Sequence, residues 1–236
     1  MIEVRDFNSL GGANHGWLDA KHHFSFARYY DPKRMGWGAL RVWNDDLIRA
    51  KTGFPPHPHR DMEIITYVRE GAITHRDHLN NEGRTVAGDV QVMSAGRGIQ
   101  HEEWNLEDED ARIFQIWIES SREGITPRWE TAKFPKEGRK GRLVPLASGK
   151  ADAPAEALWI AQDAEVLGAT LDAGTSVTHV LGAGRLAYLV PAKGRIEVNG
   201  VEVGERSGAA IRDVEVLTIN ALDDAEIVLA DLPPEE

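Results

Sequence analysis

Residues 53–63 read GFPPHPHRDME, a segment rich in glycine and proline that carries two histidines two positions apart. Side chains along an extended strand alternate between its two faces, so His57 and His59 point to the same side if this segment is a strand. A single His-x-His pair in such a segment is more often a surface loop than a metal site. The pair therefore needs a second, independent group before it indicates chemistry.

Residues 96–105, GRGIQHEEWN, supply that second group. His101 and Glu103 have the same spacing as the first two histidines and also share one face of an extended strand. Two such strands lining one barrel would bring three imidazoles and one carboxylate to a single point. That ligand set suits Fe, Ni, Cu, Mn or Zn, and a site with so few protein ligands keeps positions open for a substrate or O₂.

Short runs typical of β-strands recur along the whole chain, separated by Gly, Asn and Asp. They include residues 39–43, 63–68, 89–93, 113–118, 187–190, 195–198 and 214–219. Strands at this spacing, with turn residues between them, indicate a β-sandwich or a barrel. No segment has the pattern of a long amphipathic helix, so the sequence predicts an all-β fold.

The two halves of the chain repeat one pattern of strand, Gly turn, strand and second Gly turn, in residues 69–92 and again in residues 192–205. Between the halves, residues 120–143 are polar, contain glycine and are rich in Lys and Arg. A duplicated small barrel explains this arrangement. We therefore expect two antiparallel β-barrel (jelly-roll) domains in tandem, residues 1–133 and residues 134–236.

The repeat also predicts which half holds a metal. When Gly71 is superimposed on Gly194 and Gly88 on Gly204, counterparts of the four candidate ligands can be located. They fall near Val180, Gly182, Leu217 and Ile219. None of these side chains ligates a metal, and a slip of one residue recovers at most His179 and a threonine. The second domain is therefore expected to be metal-free, with apolar residues filling its barrel.

The composition excludes several classes of protein. The formal net charge is −11, so the chain repels phosphate backbones, and direct binding of DNA or RNA is not expected. It has no cysteine, which excludes disulfides and thiolate metal sites. Residues 1–6 are not a basic segment followed by an apolar core, and the apolar runs are far shorter than the roughly 20 residues that span a bilayer. We expect a cytoplasmic protein without a membrane segment.

The two histidine-containing segments resemble the two motifs of the cupin superfamily. The matching residues are Gly53, His57, His59, Glu63 and Gly71 in the first motif, and Gly88, Gly96, His101 and Asn105 in the second. The finer resemblance is to the pirin family, in residues 57–60, 93–103, 23–32 and 35–42. A small departure is Asp61, where members often have glycine.

The resemblance to pirins implies a bicupin fold with iron in the N-terminal barrel, held by His57, His59, His101 and Glu103. Several bacterial members open the central ring of the flavonol quercetin with O₂, whereas the eukaryotic namesake is a nuclear, iron-dependent cofactor of transcription factors. The expected cofactor is one divalent metal ion, Fe(II) first, with Cu, Ni, Mn, Co and Zn as alternatives.

Glu63 has a competing claim as the carboxylate ligand. It is the ligand of ordinary cupins, and it is in phase with His57 and His59 if the strand is regular. A bend near Pro58 would break that phase. The pirin pattern favours Glu103 as the ligand instead, with Glu63 behind the ligands, where it would hold an imidazole N–H.

The remaining histidines have weaker claims on function. His75 and His78 lie between the two motifs and are expected in a solvated hairpin. His22 is expected to be exposed and His23 to be structural. His179 has no second histidine near it in the sequence, and it is expected to be an ordinary surface or core residue.

Three functions are compatible with these residues. In the first, a metal-dependent dioxygenase opens the central ring of flavonols, Glu103 is the general base that takes the flavonol proton, and carbon monoxide leaves. In the second, a non-enzymatic iron or redox sensor acts through a protein partner. In the third, a different cupin enzyme acts on another aromatic enediol. The first is the leading hypothesis, and we expect a monomer that binds a flavonol and O₂.

Overall fold

The computed structural model describes residues 1–235, and almost every regular element within them is a β-strand. The strands are β1 (Ile2–Arg5), β2 (Gly11–Asn14), β3 (Leu18–His22), β4 (Leu40–Ile48), β5 (Thr52–His59), β6 (Met62–Glu70), β7 (Ala72–Asp77), β8 (Glu82–Val86), β9 (Val90–Ser94), β10 (Ile99–Asn105), β11 (Ala111–Glu119), β12 (Arg128–Ala132), β13 (Val144–Ser148), β14 (Leu158–Trp159), β15 (Glu165–Leu171), β16 (Ser176–Val180), β17 (Leu186–Lys193), β18 (Ile196–Val198), β19 (Val201–Val203), β20 (Gly208–Ile211), β21 (Val216–Ala221) and β22 (Ala225–Leu232). Two short 3₁₀ helices, Phe7–Ser9 and Lys136–Arg139, complete the regular elements of this part of the chain. The all-β prediction is confirmed. Among residues 1–235, no helix is long and apolar enough to cross a membrane.

The strands form two units, each made of a seven-stranded and a four-stranded sheet. In the first unit the large sheet has the order β12-β9-β6-β11-β4-β3-β2 and packs over a small sheet of order β5-β10-β7-β8. In the second unit the orders are β1-β20-β17-β22-β15-β13-β14 and β16-β21-β18-β19. Pairing is antiparallel throughout both units, except that β14 runs parallel to β13.

The two units share one topology, which confirms the predicted duplication. Strands β9, β6 and β11 of the first unit have the places of β20, β17 and β22 in the second. Gly71 and Gly194 both take positive φ, 74° and 73°, at the equivalent turns after β6 and β17. Strand β1 departs from a simple tandem order, because it pairs with β20 in the second unit. The division between residues 133 and 134 falls in the connection from β12 to β13 and stays a prediction.

The outer faces of the two large sheets pack on each other and form the largest apolar cluster. Ile65 and Tyr67 of β6 meet Tyr188 and Val190 of β17 in this interface. Thr66, between them, points the other way, into the first barrel. Both faces of β6 are therefore buried, which explains why this strand is a nearly continuous apolar run rather than an alternating one.

Polar side chains also join the two units. Asp45 is almost fully buried and accepts hydrogen bonds from Arg69 of its own unit and Arg206 of the second unit, both at 2.5 Å. His23 has no exposed surface, and its Nδ1 lies 2.8 Å from the hydroxyl of Tyr188. Burial, together with nearby arginines, lowers the pKa of His23 to about 3. His23 is thus structural, as predicted.

Two glycine turns of the second unit, at Gly194 after β17 and at Gly200 after β18, differ in the space around the backbone. A methyl group added at Gly194 would lie 2.5 Å from the carbonyl oxygen of Asp224, whereas at Gly200 it meets nothing within 4 Å. Both glycines have positive φ, which costs an alanine about 1–2 kcal/mol. We expect Gly200→Ala to lose about that much free energy of unfolding in urea titrations, and Gly194→Ala to lose roughly 1–3 kcal/mol more through the clash. Equal losses would contradict this account.

Burial of His23 should make the folded protein sensitive to acid. Its pKa is about 3 in the folded protein and about 6.5 in the unfolded chain, so between these values only the unfolded chain binds the proton. Stability therefore falls as the pH falls through 6.5, by about 2 kcal/mol from pH 7 to pH 5. His23→Gln should remove about that part of the pH dependence of the unfolding free energy. Tyr188→Phe, which keeps the buried imidazole, is the control and should keep the dependence.

Candidate metal centre

Strands β5 and β10 bring three of the predicted ligands together. They pair antiparallel, with His101 directly opposite His57. Strand β5 is the edge of the small sheet, and an edge strand tolerates prolines because one of its sides needs no partner. The prolines are Pro55, Pro56 and Pro58. The alternating burial of β10 turns His101 and Glu103 inward, as their spacing predicts.

The three imidazoles form a tight cluster. The ring centroids are 4.4 Å apart for His57 and His101, 4.8 Å for His57 and His59, and 5.0 Å for His59 and His101. The Nε2 atoms of His57 and His101 are 3.0 Å apart. Each residue offers a ring nitrogen within 4.8 Å of the other two. The structure therefore brings together the three histidines that the sequence singled out.

The protonation of these rings suits a metal. His57 Nδ1 lies 2.8 Å from the carbonyl oxygen of Pro55, and because a carbonyl only accepts, Nδ1 carries the proton and Nε2 presents a lone pair. Burial, and then the neighbouring imidazoles, lower the pKa of His59 to about 4 and that of His101 to about 3. Both rings are thus neutral at neutral pH, the form that ligates metals. The donor set fits a divalent metal ion.

Glu103 is buried on β10 and is held from the large sheet. Its carboxylate accepts hydrogen bonds from Gln91 Nε2 at 2.6 Å, Gln115 Nε2 at 3.1 Å and Thr66 Oγ1 at 3.3 Å. These three donors lie in one row across β9, β6 and β11. Glu103 groups within 4.8 Å with His75 and His101, beside the three-histidine cluster. Its place in the ligand set stays a prediction.

A cavity of about 390 Å³ opens beside the histidines. Its aromatic lining consists of Trp17, Phe26, Phe54 and Trp117, its polar lining includes His22, Asn44, Asp46 and Gln115, and His57, His59 and Glu103 also line it. Volumes of roughly 300–1,000 Å³ are typical of small-molecule sites. The cavity can therefore hold a flat aromatic molecule that carries polar groups on its edge.

Two residues of the polar lining differ from expectation. His22 is buried rather than exposed, because β3 places it opposite Asn44, and its Nδ1 lies 2.9 Å from Asn44 Oδ1. Asp46, which the sequence analysis missed, is also buried, and its Oδ1 has no hydrogen-bond partner among the described residues. Burial, and then the charges of Asp45 and Glu103, raise the pKa of Asp46 well above its usual value. A raised pKa favours the protonated carboxyl, which is the form that donates a hydrogen bond to a ligand.

Comparison with known proteins decides the family. The pirin family model matches residues 3–118, and the model of the quercetinase C-terminal cupin domain matches residues 146–232. A pirin-like protein of Caulobacter vibrioides is 64% identical over 231 residues, which cover 98% of this chain and 99% of the relative. The chain belongs to the pirin family.

A sequence match and a structural match in Escherichia coli extend this comparison. The quercetin 2,3-dioxygenase of strain K12 is 44% identical over 235 residues, covering 99% of this pirin and 100% of the relative. The crystal structure of the bacterial pirin YhhW in complex with nickel(II) has a TM-score of 0.93 to this chain at 44% identity, covering 99% of this chain and 100% of that one. The predicted bicupin fold is confirmed.

His75 is the residue of this pirin's site that sequence reasoning misplaced. The predicted solvated hairpin is correct for the exposed His78 but wrong for His75, which has no exposed surface. The Nδ1 atom of His75 lies 3.3 Å from His101 Nδ1, and its Nε2 lies 2.9 Å from Asp77 Oδ2. Its ring stacks on Trp129, 4.7 Å away with 6° between the planes. The signal that could have found it is the alternation of β7, where it lies two residues after a core isoleucine.

Glu63 faces away from the histidines, so both expectations for it, the shared phase and the bond to an imidazole N–H, are wrong. Strand β5 ends at His59 and β6 begins at Met62, with Asp61 in the left-handed conformation (φ 46°) between them. Glu63 therefore lies on the next strand, opposite Ser94, whose hydroxyl donates to its carboxylate at 2.6 Å. Burial raises the pKa of Glu63. Aspartate tolerates the left-handed region better than most residues, so Asp61 can adopt this conformation without a glycine.

The second barrel differs at the equivalent positions. Strand pairing places His179 opposite Leu217, as His57 is placed opposite His101. The counterpart of His57 is therefore His179, one residue before the predicted position. His179 is half-buried, and its Nε2 lies 2.9 Å from an oxygen of the buried Asp231. Absence of metal from this barrel stays a prediction.

Proposed function

We propose that this pirin is a metal-dependent dioxygenase that opens the central ring of flavonols such as quercetin with O₂. The observation that carries the proposal is a single cavity lined both by the ligand candidates His57 and His59 and by aromatic side chains. A largely apolar cavity with a few polar groups is the usual form of a small-molecule site. The Escherichia coli relative named quercetin 2,3-dioxygenase, which aligns over its full length, supports the choice of substrate.

The proposed ligands of one divalent metal ion are His57, His59, His101 and Glu103. They offer three imidazole nitrogens and one carboxylate oxygen, which suit Fe(II), the proposed metal, and also Ni, Cu, Mn, Co and Zn. Nickel(II) is the ion in the YhhW complex. When bound, the metal supplies a Lewis acid for a flavonol oxygen and a centre for O₂ chemistry.

Glu103 is the proposed general base. A flavonol reacts with O₂ as its anion, so a group in the cavity has to take the hydroxyl proton, and Glu103 lines that cavity. Hydrogen bonds from Gln91, Gln115 and Thr66 hold its carboxylate in one orientation. The proton stays on a Glu103 oxygen while the ring opens and then returns to the carboxylate of the product, the two atoms of O₂ enter that product, and one ring carbon leaves with its oxygen as carbon monoxide.

The cavity walls position the substrate. Trp17 packs edge to face on Phe54 at 5.0 Å, and Phe26 packs in the same way on Trp117 at 5.5 Å. These rings bury the flat faces of a flavonol and exclude water from them. Asp46 also lines the cavity, its Oδ1 has no hydrogen-bond partner among the described residues, and in its protonated form it would donate a hydrogen bond to a carbonyl or phenol oxygen on the substrate's edge.

The alternative is a non-enzymatic pirin that senses iron or redox state and acts through a protein partner. The same histidines would serve a sensor, but a sensor has no use for a cavity of about 390 Å³ beside its metal. A third reading, a cupin enzyme that acts on another aromatic enediol, uses the cavity as well as a flavonol does. The monomeric state and the cytoplasmic location stay predictions.

Metal content tests the proposed ligands. The purified protein should bind about one metal ion per chain, and His101→Ala should weaken binding by about 100-fold or more, since even residues behind the ligands contribute 10–100-fold. Glu63→Gln is the matched control and should keep its metal, because Glu63 bonds to Ser94 instead. Elemental analysis and Fe(II) titration measure both variants. If Glu63→Gln loses the metal and Glu103→Gln keeps it, the ordinary cupin ligands apply.

Gas exchange tests the reaction. Metal-loaded protein should take up O₂ with quercetin and release carbon monoxide, and Glu103→Gln should lower the rate by about 100-fold or more through loss of the base. An O₂ electrode and a carbon monoxide assay measure the two gases. A protein that holds metal but exchanges no gas with any flavonol favours the sensor. Uptake with catechols alone favours the third reading.

A further inference from the structure

We infer that His75 and Asp77 are positioning residues that set the tautomer of His101, so that His101 presents the lone pair of Nε2 to the metal. The inference rests on the metal site proposed above, but neither residue is one of its proposed ligands. It follows from a chain of hydrogen bonds in which each member has only one role open to it.

The chain begins at the hairpin between β7 and β8, which fixes Asp77. The Oδ1 atom of Asp77 accepts the backbone N–H groups of Leu79 at 2.9 Å and Asn81 at 3.1 Å. Its Oδ2 atom accepts Asn81 Nδ2 at 2.9 Å. The carboxylate thus has a single orientation, and an ionised carboxylate only accepts hydrogen bonds.

The two imidazoles then have no freedom of tautomer. His75 Nε2 lies 2.9 Å from Asp77 Oδ2, so the one proton of a neutral His75 ring sits on Nε2 and leaves a lone pair on Nδ1. His101 Nδ1 lies 3.3 Å from His75 Nδ1, so His101 has to be the donor through Nδ1–H. Its Nε2 atom is then unprotonated, and this is the atom that lies 3.0 Å from His57 Nε2.

These two tautomers favour the binding of a cation between His57 and His101. The carbonyl of Pro55 fixes the neutral form of His57 as the same tautomer, and in that form both Nε2 atoms carry lone pairs, so no hydrogen bond joins them. Two lone pairs 3.0 Å apart repel each other, and a metal ion bound to both turns that repulsion into ligation. A carboxylate on a hairpin thereby prepares the ligand from behind, as partners of metal-bound histidines do elsewhere.

Packing keeps this chain rigid. The ring of His75 is stacked on Trp129 of β12, with 6° between the planes. An added methyl group at Gly83 would collide with that indole. Trp129 can therefore pack at this place only because residue 83 has no side chain. His75 has no exposed surface and His101 has 2%, so water does not compete for their hydrogen bonds.

Asp77→Asn tests the inference, because it keeps the shape of the side chain and reverses the hydrogen bonds. The amide oxygen stays with the two backbone N–H groups, which cannot turn, and the NH₂ group then faces His75 and the side chain of Asn81, whose amide turns over to present its oxygen. His75 has to accept at Nε2 and donate at Nδ1, which forces the proton of His101 onto Nε2. Glu82→Gln is the matched control, since it removes one charge from the same hairpin at an exposed carboxylate that pairs with Arg76 at 3.1 Å.

Two readouts follow the change. ¹⁵N NMR of the metal-free protein reports the tautomer of His101, and titration with Co(II) reports metal affinity. We expect the proton on Nδ1 in the wild type and in Glu82→Gln, and on Nε2 in Asp77→Asn, with Co(II) bound about 10–100-fold more weakly by Asp77→Asn. An unchanged tautomer in Asp77→Asn overturns the inference, whatever the affinity shows.

His75→Phe is the second variant, in case Asp77→Asn does not fold. It keeps a flat ring against Trp129 and removes the acceptor for His101. We expect a mixture of His101 tautomers and a loss of Co(II) affinity of about the same size. A pure Nδ1–H tautomer with wild-type affinity in His75→Phe also overturns the inference.

Neither readout depends on turnover, so this inference and the proposed dioxygenase fail separately. If the tautomer and the Co(II) affinity change as expected and the wild type oxidises no flavonol, the inference stands and the dioxygenase falls. If the wild type oxidises quercetin and the tautomer of His101 is the same in Asp77→Asn, the dioxygenase stands and the inference falls.

Discussion

The register of β5 against β10 is the constraint on which the site depends. Antiparallel pairing sets His57 opposite His101, and a slip of one residue would turn every inward side chain of one strand outward. The register shifts between His101 and Glu103, because Glu103 is opposite Phe54 and β5 uses an extra residue at its proline pair. Bulges of this kind re-aim side chains next to active sites. Here the bulge leaves Phe54 on the cavity wall while the histidines keep their common face.

The large sheet of the first barrel supports that register from behind. Successive side chains along each of its strands point to opposite faces of the sheet. One face carries the polar row that holds Glu103, and the other face forms the apolar interface with the second unit. Thr66 and Gln115 point to the carboxylate, and Ile65 and Ile116, next to them in sequence, pack into the interface. Packing between the two units therefore also fixes the donors that orient Glu103.

How well each residue of the site could be predicted depends on how close in sequence the residues that determine its environment are. The cluster of His57, His59 and His101 was predictable, because a period of two on two strands is visible in the sequence. The prediction for Glu63 was wrong because it assumed one continuous strand, whereas a turn after His59 begins a new strand at Met62. The prediction that His75 is solvated was wrong because Trp129, which covers its ring, comes from β12, far along the chain.

The fold was more predictable than the cavity for the same reason. Strand runs and glycine turns are local features, and they were sufficient to predict two jelly-roll units. The raised pKa of Asp46 comes from burial and from the charges of Asp45 and Glu103. Two of these three residues are on β4 and one is on β10, so no short pattern in the sequence reports this shift in pKa.

The two barrels share one topology, and a few side chains at equivalent positions decide what each barrel can bind. In the first barrel, three imidazoles face one another in a cluster that could hold a metal ion. In the second, Leu217 has the place of His101, and His179, Lys150 and Arg185 donate to Asp231 at 2.9, 2.8 and 2.7 Å. Burial raises the pKa of Asp231, but these hydrogen bonds outweigh burial and lower it. In the second barrel the positive charge beside the buried Asp231 therefore comes from Lys150 and Arg185 of the chain itself, so one topology holds a cluster of metal-ligand candidates in one barrel and an internal ion-pair network in the other.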